Sequence, residues 1–252
     1  MKTIVKKLLG KLGYKISKVN NNIYPIDYSI DFIEEYQSIE PYTMTSLERV
    51  YALKTAVQYL VNNNIRGSYV ECGVWKGGSC MMIANTLMQL NALSEEIWLY
   101  DTFSGMTNPT NDDIEIETNL KGMELLENID KSTDDKFNMW AYAPKDIVIK
   151  NMESTGFPTD KIKYIQGKVE ETLIQHRPSK IALLRLDTDW YESTKKELED
   201  LYPLLVNGGV LIIDDYGHFE GAKKAVDEYF KKINQYPLMH RIDYSGRLII
   251  KK

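Results

Sequence analysis

The chain has 252 residues, 43% of them apolar, and a formal net charge of -5 at neutral pH. This length suits one large α/β domain with a sizeable core, and the acidic balance argues against a nucleic-acid-binding protein, which would carry a basic face. The only cysteines, Cys72 and Cys80, form no CxxC pattern, so neither a disulfide framework nor a zinc site is indicated. We expect small-molecule chemistry in a reducing cytoplasm.

The first eighteen residues carry six lysines and no acidic residue. Apolar residues recur beside these lysines at helical spacing, which is typical of a helix lying on an anionic membrane surface and would place the protein at the inner membrane face. The same pattern is typical of a helix that packs between subunits, and we also expect a homo-oligomer. Residues 19–45 are predicted to be loop-rich because Pro25 and Pro41 interrupt them. We therefore assign residues 1–41 to an N-terminal extension and 42–252 to the main domain.

Predicted helices and strands alternate through the main domain. The strands are predicted over 68–71, 97–100, 162–166, 181–186 and 210–213, and the helices over 47–62, 79–93, 193–205 and 221–233. A closing hairpin is predicted over 238–251, and residues 107–150, which fit the alternation poorly, are interpreted as a lid-like insertion. The alternation predicts an α/β fold with a doubly wound, mostly parallel, seven-stranded sheet whose last strand is antiparallel.

A glycine-rich loop, ECGVWKGGS over 71–79, follows the first predicted strand. Glycine allows backbone to approach a ligand closely at a helix N-terminus. Asp101, at the end of the second strand, lies where an acid would accept hydrogen bonds from both ribose hydroxyls. Together these features indicate a cofactor that contains a nucleoside. Trp75 stands where a dinucleotide fingerprint needs glycine, whereas the amino-acid end of S-adenosylmethionine suits the loop and Glu71; the alternative is a turn that only lets the helix pack.

The fourth and fifth predicted strands each end in two carboxylates. Asp187 and Asp189 follow the fourth strand, and Asp214 and Asp215 follow the fifth. Because ligands of open parallel sheets bind beyond the carboxyl ends of the strands, we expect all four acids at one edge. Like charges converge in a partly dry cleft only with a cation, which indicates a hard metal such as Mg²⁺. The alternative is that the four acids are solvated loop charges.

Six stretches of the chain resemble the macrocin O-methyltransferase family, which methylates sugar hydroxyls. They are YTMTSLERVYAL (42–53), YVECGVWKGGSC (69–80), YDTFSGM (100–106), GKVEETL (167–173), LRLDTDWYESTKKELEDLYPLL (184–205) and GGVLIIDDYG (208–217). The resemblance implies a class I methyltransferase fold, S-adenosylmethionine as methyl donor and Mg²⁺ as an essential ion.

The resemblance also implies roles for individual residues. Asp187, Asp214 and Asp215 look like the metal ligands, and Asp189 looks like the general base. The positions expected to contact the cofactor are Glu71, Gly73, Trp75, Gly77, Gly78, Ser79, Asp101, Ser104, Gly167 and Asp187.

Three residues beside the acids are candidates for contact with the acceptor. Trp190 and Tyr191 either stack on a sugar ring or on adenine, or pack in the core. His218 either contacts the acceptor or is an ordinary loop residue.

The expected reaction is methyl transfer to a sugar, glycan or glycosylated natural product. An octahedral Mg²⁺ with about three protein carboxylates has room for two neighbouring acceptor oxygens, so we expect a vicinal diol. One alternative is a catechol-type O-methyltransferase, although Trp190 stands where such enzymes commonly place a lysine. Another is a non-catalytic module that binds S-adenosylmethionine.

Overall fold

The computed structural model describes residues 24–127, 129–130 and 138–252. The basic segment over 1–18 lies outside the described residues, so its predicted membrane or subunit contacts remain predictions. The chain divides into two units, Met1–Glu34 and Glu35–Lys252. In the first unit, the described residues form a turn and the first half of a helix; the second unit holds all of the structure that follows.

Helix α1 (Ile30–Ile39) corrects the prediction of a loop-rich segment over 19–45. The hydroxyl of Ser29 accepts a hydrogen bond from the backbone N–H of Phe32 at 3.2 Å, which caps the first turn. Pro25 and Pro41 flank this helix rather than interrupt it, and no glycine lies between them. The prolines therefore mark its ends, where they are compatible with a helix.

The remaining elements alternate as predicted. The further helices are α2 (Leu47–Asn62), α3 (Gly78–Gln89), α4 (Gly122–Glu127), α5 (Lys145–Ser154), α6 (Val169–Thr172), α7 (Tyr191–Leu201) and α8 (Glu220–Lys232). The strands are β1 (Ser68–Cys72), β2 (Ile97–Asp101), β3 (Ile162–Gln166), β4 (Ile181–Leu186), β5 (Leu205–Ile213), β6 (His240–Arg241) and β7 (Arg247–Ile250).

The seven strands form one sheet in the order β3-β2-β1-β4-β5-β7-β6. The pairs among β1 to β5 are parallel, and β7 runs antiparallel to both β5 and β6. The predicted doubly wound, mostly parallel sheet is confirmed. After β1 the chain moves outward to β2, whereas β4 lies on the other side of β1, so the winding direction reverses between β1 and β4. Ligands of such sheets bind in the crevice at this reversal point.

Strand β5 begins earlier than predicted, at Leu205 rather than at Val210. The sequence Asn207-Gly208-Gly209 predicts a turn before the strand. Here the N–H of Gly208 donates to the carbonyl of Lys251 at 2.6 Å, and the N–H of Lys251 donates to the carbonyl of Gly209 at 2.9 Å. Gly208 has a left-handed φ of +80°, so the strand is irregular here, but these long-range bonds keep both glycines within β5 and override a local turn preference.

Helices cover both faces of the sheet. The crossovers through α3 and α7 run in opposite directions along the sheet, and because such crossovers are right-handed, the two helices lie on opposite faces. Helix α7 packs against α8, and α3 packs against α2. An apolar cluster joins α7 and α8 to the sheet; it includes Leu184, Leu186, Leu198, Leu201, Leu211, Val226 and Phe230. Among the described residues, no helix combines the length and apolarity needed to cross a bilayer.

The insertion is tied to the sheet domain through Asp113, which is fully buried. Its carboxylate accepts hydrogen bonds from the backbone N–H of Tyr191 at 2.7 Å and from the N–H of Thr110 at 2.6 Å. Tyr191 is the first residue of α7, so an acid from the insertion occupies the N-terminus of a central helix, where negative charge is favourable.

Candidate functional site

A cleft opens at the carboxyl ends of β1, β2, β4 and β5, at the reversal point of the sheet. Its walls come from the loops after these strands, from α2 and from the insertion. The lining includes Thr45, Arg49, Gly73, Trp75, Asp101, Thr107, Asn138, Gly167, Glu170, Asp187, Asp189, Asp214, Asp215, His218 and Tyr244. Predicted candidates from the loops after β1, β2, β4 and β5 therefore meet in one place: Gly73, Trp75, Asp101, Asp187, Asp189, Asp214, Asp215 and His218.

The glycine-rich loop after β1 brings backbone close to the end of β4. Gly73 has a φ of +79°, and a Cβ there would lie 1.9 Å from the carbonyl oxygen of Asp187. The N–H of Asp187 also donates to the carbonyl of Cys72 at 2.9 Å. Only glycine allows the chain to leave β1 this close to the end of β4.

Asp101 organises the same loop. Its Oδ2 accepts the backbone N–H groups of Val74 at 2.8 Å and Trp75 at 3.2 Å, and its Oδ1 accepts that of Phe103 at 2.6 Å. A carboxylate offers about four acceptor positions, and three are used here. The Thr102 side chain also interacts with this carboxylate, so Asp101 has little acceptor capacity left for the two ribose hydroxyls of the prediction.

Three carboxylates converge at the edge formed by β4 and β5. Asp187, Asp214 and Asp215 each offer an oxygen within 4.8 Å of the others. Strand β5 ends at Ile213, and the N–H of His218 donates to the carbonyl of Asp215 at 3.0 Å. The chain thus turns directly after the strand, which lets two consecutive acids face one point.

Asp189 lies beside this group and lines the same cleft. Its carboxyl is hydrogen-bonded to Asp215, and burial, then the charge of Asp187, raise the pKa of Asp189 well above its ordinary range. Its φ of +67° is a left-handed conformation, which a non-glycine residue adopts at a cost and which recurs at functional sites.

Two arginines hold these acids, and sequence analysis did not identify either one. Arg185, in the middle of β4, is 1% exposed and pairs with Glu71, Asp187 and Asp214. Arg49, on α2, pairs with Asp214 and Asp243. A charged residue inside the apolar run ALLRL is the signal that could have indicated Arg185, because a buried charge requires partners. The partners themselves come from separate strands.

The charge balance of the cleft fits a divalent cation. Around the two guanidinium groups lie four carboxylates of the cleft lining, Asp187, Asp189, Asp214 and Asp215, and two outside that lining, Glu71 and Asp243. Burial raises the pKa of Asp187 and of Asp215 well above the ordinary range, whereas Arg185 and Arg49 overcome burial to lower the pKa of Asp214. Hard oxygen ligands in excess over positive charge are the donor set that Mg²⁺ prefers.

Five predicted cofactor contacts are not in the cleft lining. Glu71 is 1% exposed; its carboxylate pairs with Arg185 and accepts a hydrogen bond from the Cys80 thiol at 2.7 Å, so it supports the site from behind. A Cβ on Gly78 would lie 2.6 Å from the carbonyl of Tyr42, which makes this glycine a packing requirement. The other three are Gly77, Ser79 and Ser104. Gly73, Trp75, Asp101, Gly167 and Asp187 do line the cleft.

The prediction that Trp190 and Tyr191 contact the acceptor disagrees with the structure. Trp190 is 2% exposed, donates from its indole N–H to the carbonyl of Thr107 at 3.0 Å and packs edge-on against Phe219. The hydroxyl of Tyr191 donates to Glu228 on α8 at 2.7 Å. Both side chains join elements together, which is the alternative that the sequence left open.

His218 does line the cleft. Its Nε2 lies 3.4 Å from Glu115 and its Nδ1 lies 3.5 Å from the hydroxyl of Tyr244. Burial lowers the pKa of His218 below its ordinary value despite the nearby carboxylate, which favours the neutral ring. A neutral imidazole has one donor and one acceptor, so His218 can contact a ligand through a ring nitrogen only if one of these two long contacts opens.

Comparison with known proteins gives relatives that are O-methyltransferases. The chain is 28% identical over 246 residues to a Streptomyces olivaceus enzyme, 8-demethyl-8-(2,3-dimethoxy-alpha-L-rhamnosyl)-tetracenomycin-C 4'-O-methyltransferase, with 96% of this chain and 89% of that protein covered. It is 28% identical over 196 residues to mycinamicin III 3''-O-methyltransferase of Micromonospora griseorubida, covering 78% and 72%.

A similar solved structure is also that of an O-methyltransferase. The O-methyltransferase NovP superposes with a TM-score of 0.70 at 27% identity, covering 84% of this chain and 82% of that one. The family model for macrocin-O-methyltransferase matches residues 36–250, almost the entire second unit. With a class I sheet, a glycine loop and an acid-lined cleft at its reversal point, this chain belongs to the macrocin O-methyltransferase family.

Proposed function

We propose that the protein transfers a methyl group from S-adenosylmethionine to a hydroxyl of a sugar that carries a vicinal diol, with Mg²⁺ held by Asp187, Asp214 and Asp215. The observation that carries this proposal is the convergence of these three carboxylates within 4.8 Å, beside the glycine loop at the reversal point of the sheet. The rhamnosyl group in the name of the Streptomyces olivaceus relative supports a sugar acceptor.

The cofactor would lie along the loops after β1, β2 and β3. The backbone around Gly73 and Trp75 faces the cleft and suits the amino-acid end of S-adenosylmethionine. Asp101 lines the cleft beside this loop, where the ribose would lie, and Gly167, directly after β3, lines the region where the adenine would lie.

Asp189 is the residue proposed to take the proton from the acceptor hydroxyl. Methyl transfer from a sulfonium needs an oxygen nucleophile, and a neutral hydroxyl is a weak one while it keeps its proton. A base works best when its pKa is close to the working pH, and the pKa of Asp189 is raised in that direction by burial and by Asp187. When bound, Mg²⁺ supplies positive charge that makes the acceptor hydroxyl more acidic.

The acceptor would enter on the side of the insertion and of His218. Thr107, Asn138 and His218 bring polar groups to that side of the cleft, and Tyr244 offers an exposed ring. Sugars are recognised by such a mixture of hydrogen-bonding groups and aromatic faces.

The test is a screen of nucleotide sugars and glycosylated natural products with a labelled methyl donor. We expect label transfer to a vicinal diol, loss of transfer with EDTA and recovery with added Mg²⁺. A deoxy analogue lacking the hydroxyl that is not methylated should react far more slowly, because it cannot offer two oxygens to one ion.

Each other outcome identifies which part of the proposal fails. Equal rates with the deoxy analogue would exclude bidentate binding. Transfer only to catechols would replace the sugar with the alternative acceptor. Donor binding without turnover on any diol would indicate the non-catalytic module.

A further inference from the structure

The two arginines at the acid cluster differ in how firmly they are held. Arg185 is 1% exposed, and besides its three carboxylate partners it donates to the Thr45 hydroxyl at 2.8 Å. The side chain of Arg49 is 10% exposed and lines the cleft, with carboxylate partners at Asp214 and Asp243. Arg185 is enclosed, whereas Arg49 has open space beside it.

Asp214 has a guanidinium on each of its carboxylate oxygens. Its Oδ1 pairs with Nη2 of Arg185, and its Oδ2 pairs with Nη1 of Arg49. A cation that binds Asp214 needs one of these oxygens, and two positive groups cannot share one oxygen cheaply at such short range. Because each oxygen has a second acceptor position, this repulsion does not force one arginine away from Asp214 but favours its departure.

The second partner of Arg49 shows which arginine can move. Its Nε lies 3.0 Å from Oδ2 of Asp243 and 3.3 Å from the hydroxyl of Ser46. Asp243 is itself held by the backbone N–H groups of Ser245 and Gly246 at 2.9 Å and 2.6 Å. The Nη1 end of Arg49 can thus leave Asp214 while Nε stays paired, so the arginine is never left as an unpaired buried charge.

We propose that Arg49 is a displaceable counter-ion: it neutralises Asp214 before the cation binds, and it is retained by Asp243 when the cation takes that oxygen. This inference rests on the proposed Mg²⁺ site and adds a positioning residue to it. Removing Arg49 should therefore strengthen Mg²⁺ binding, which is the opposite of the effect expected for a residue that builds the site.

The test is calorimetric titration of Mg²⁺ into the full chain, without donor or acceptor. Arg49→Gln should bind Mg²⁺ roughly tenfold more tightly than wild type, because a competing charge is gone. Asp243→Asn should bind about threefold more weakly, because Arg49 loses its second partner. In the double variant the Asp243→Asn effect should disappear, since no arginine remains to be retained.

A matched control lies on the same helix. Lys54, also on α2, is 8% exposed and pairs with Glu35 away from the cleft. Lys54→Gln removes a buried cation from α2 and should leave the Kd for Mg²⁺ unchanged. If Arg49→Gln fails to fold, a crystal structure of the wild-type protein with Mg²⁺ decides: the Arg49–Asp214 contact should be absent and the Arg49–Asp243 contact present.

The outcomes separate this inference from the function it rests on. Either of two results overturns the displacement and leaves the Mg²⁺ site intact. In the first, wild type binds Mg²⁺ and Arg49→Gln binds it no more tightly. In the second, the double variant still shows the full Asp243→Asn effect. A wild-type protein that binds no Mg²⁺ overturns both.

Discussion

The turn after β4 separates neighbouring residues with different roles. Asp187 and Asp189 face the cleft, and the left-handed conformation of Asp189 sends the next side chain, Trp190, into the core. The N–H of Trp190 donates to the carbonyl of Thr188 at 2.8 Å, which closes the turn. One strained residue therefore places acids on one side and an aromatic anchor on the other.

Asp189→Asn tests the proton acceptor. An amide cannot take the proton, so kcat should fall by about 10²- to 10⁴-fold, while the Kd for Mg²⁺ measured by calorimetry should stay within about twofold. Asp187→Asn is the control, because loss of a ligand should weaken Mg²⁺ binding itself. If Asp189→Asn loses Mg²⁺ binding as well, Asp189 is a ligand and the base lies elsewhere.

Residue types at strand ends were predictable, but partners were not. Asp187, Asp214 and Asp215 could be identified because acids that end buried strands must meet at one edge. The roles of Arg185 and Arg49 depend on which strands and helices become neighbours, and no local pattern contains that information. Trp190 and Tyr191 were ambiguous because a single left-handed residue decides which way they point.

At the scale of elements, the insertion and α7 share one buried carboxylate. Asp113 accepts hydrogen bonds from the first N–H of α7 and from the N–H of Thr110, so the insertion is anchored at the same turn that carries Asp189. Gly221, the second residue of α8, packs so closely against Asp113 that a Cβ there would lie 2.0 Å from its Oδ1. Helices α7 and α8 thus enclose the Asp113 carboxylate.

Asp113→Ala should lower the free energy of unfolding by about 2–4 kcal/mol, because buried N–H groups lose their acceptor. Urea denaturation measures this change. The adjacent Asp112→Ala is a matched control, because its ion pair with Lys224 is exposed to solvent and should contribute little to stability. Equal losses from both variants would contradict the anchoring role.

Glu197 gives α7 a pH-dependent stability. It is fully buried and accepts a hydrogen bond from Thr188 at 2.9 Å, and burial raises its pKa well above the ordinary 4.5. An acid with a raised folded-state pKa binds more protons folded than unfolded, so stability falls as pH rises above 4.5 toward the folded pKa.

Glu197→Gln removes this dependence. As pH rises above 4.5 the variant should lose less stability than wild type, as measured by urea denaturation at each pH. Glu192 is exposed on the same helix, and the stability of Glu192→Gln should change with pH as that of wild type does. A variant that loses as much stability as wild type would show that Glu197 stays ionised in the folded protein.

At the scale of the whole molecule, the topology was the most predictable feature. Alternating strands and helices with right-handed crossovers leave few arrangements, and the seven-stranded sheet is one of them. Helix α1, the early start of β5 and the path of the insertion depend on long-range contacts, such as that between Gly208 and Lys251, and were missed or left open.

We propose that the N-terminal segment over 1–18 binds anionic membrane surfaces through its six lysines. The intact chain should co-sediment with vesicles containing anionic lipid at low salt, and a chain lacking residues 1–18 should remain in solution. Neutral vesicles are the control. No difference between the chains would contradict this role, and a change of oligomeric state on truncation would support the alternative of packing between subunits.

The contact between Gly73 and the carbonyl of Asp187 joins the donor loop to the metal edge without an intervening side chain. The loop after β1 and the end of β4 are therefore in direct backbone contact and keep a constant separation. In the proposed reaction, this separation would fix how far the donor lies from the two acceptor oxygens, whatever aglycone the acceptor carries. Replacing the insertion should then change which molecules enter, while the spacing of the two oxygens stays under the control of the sheet.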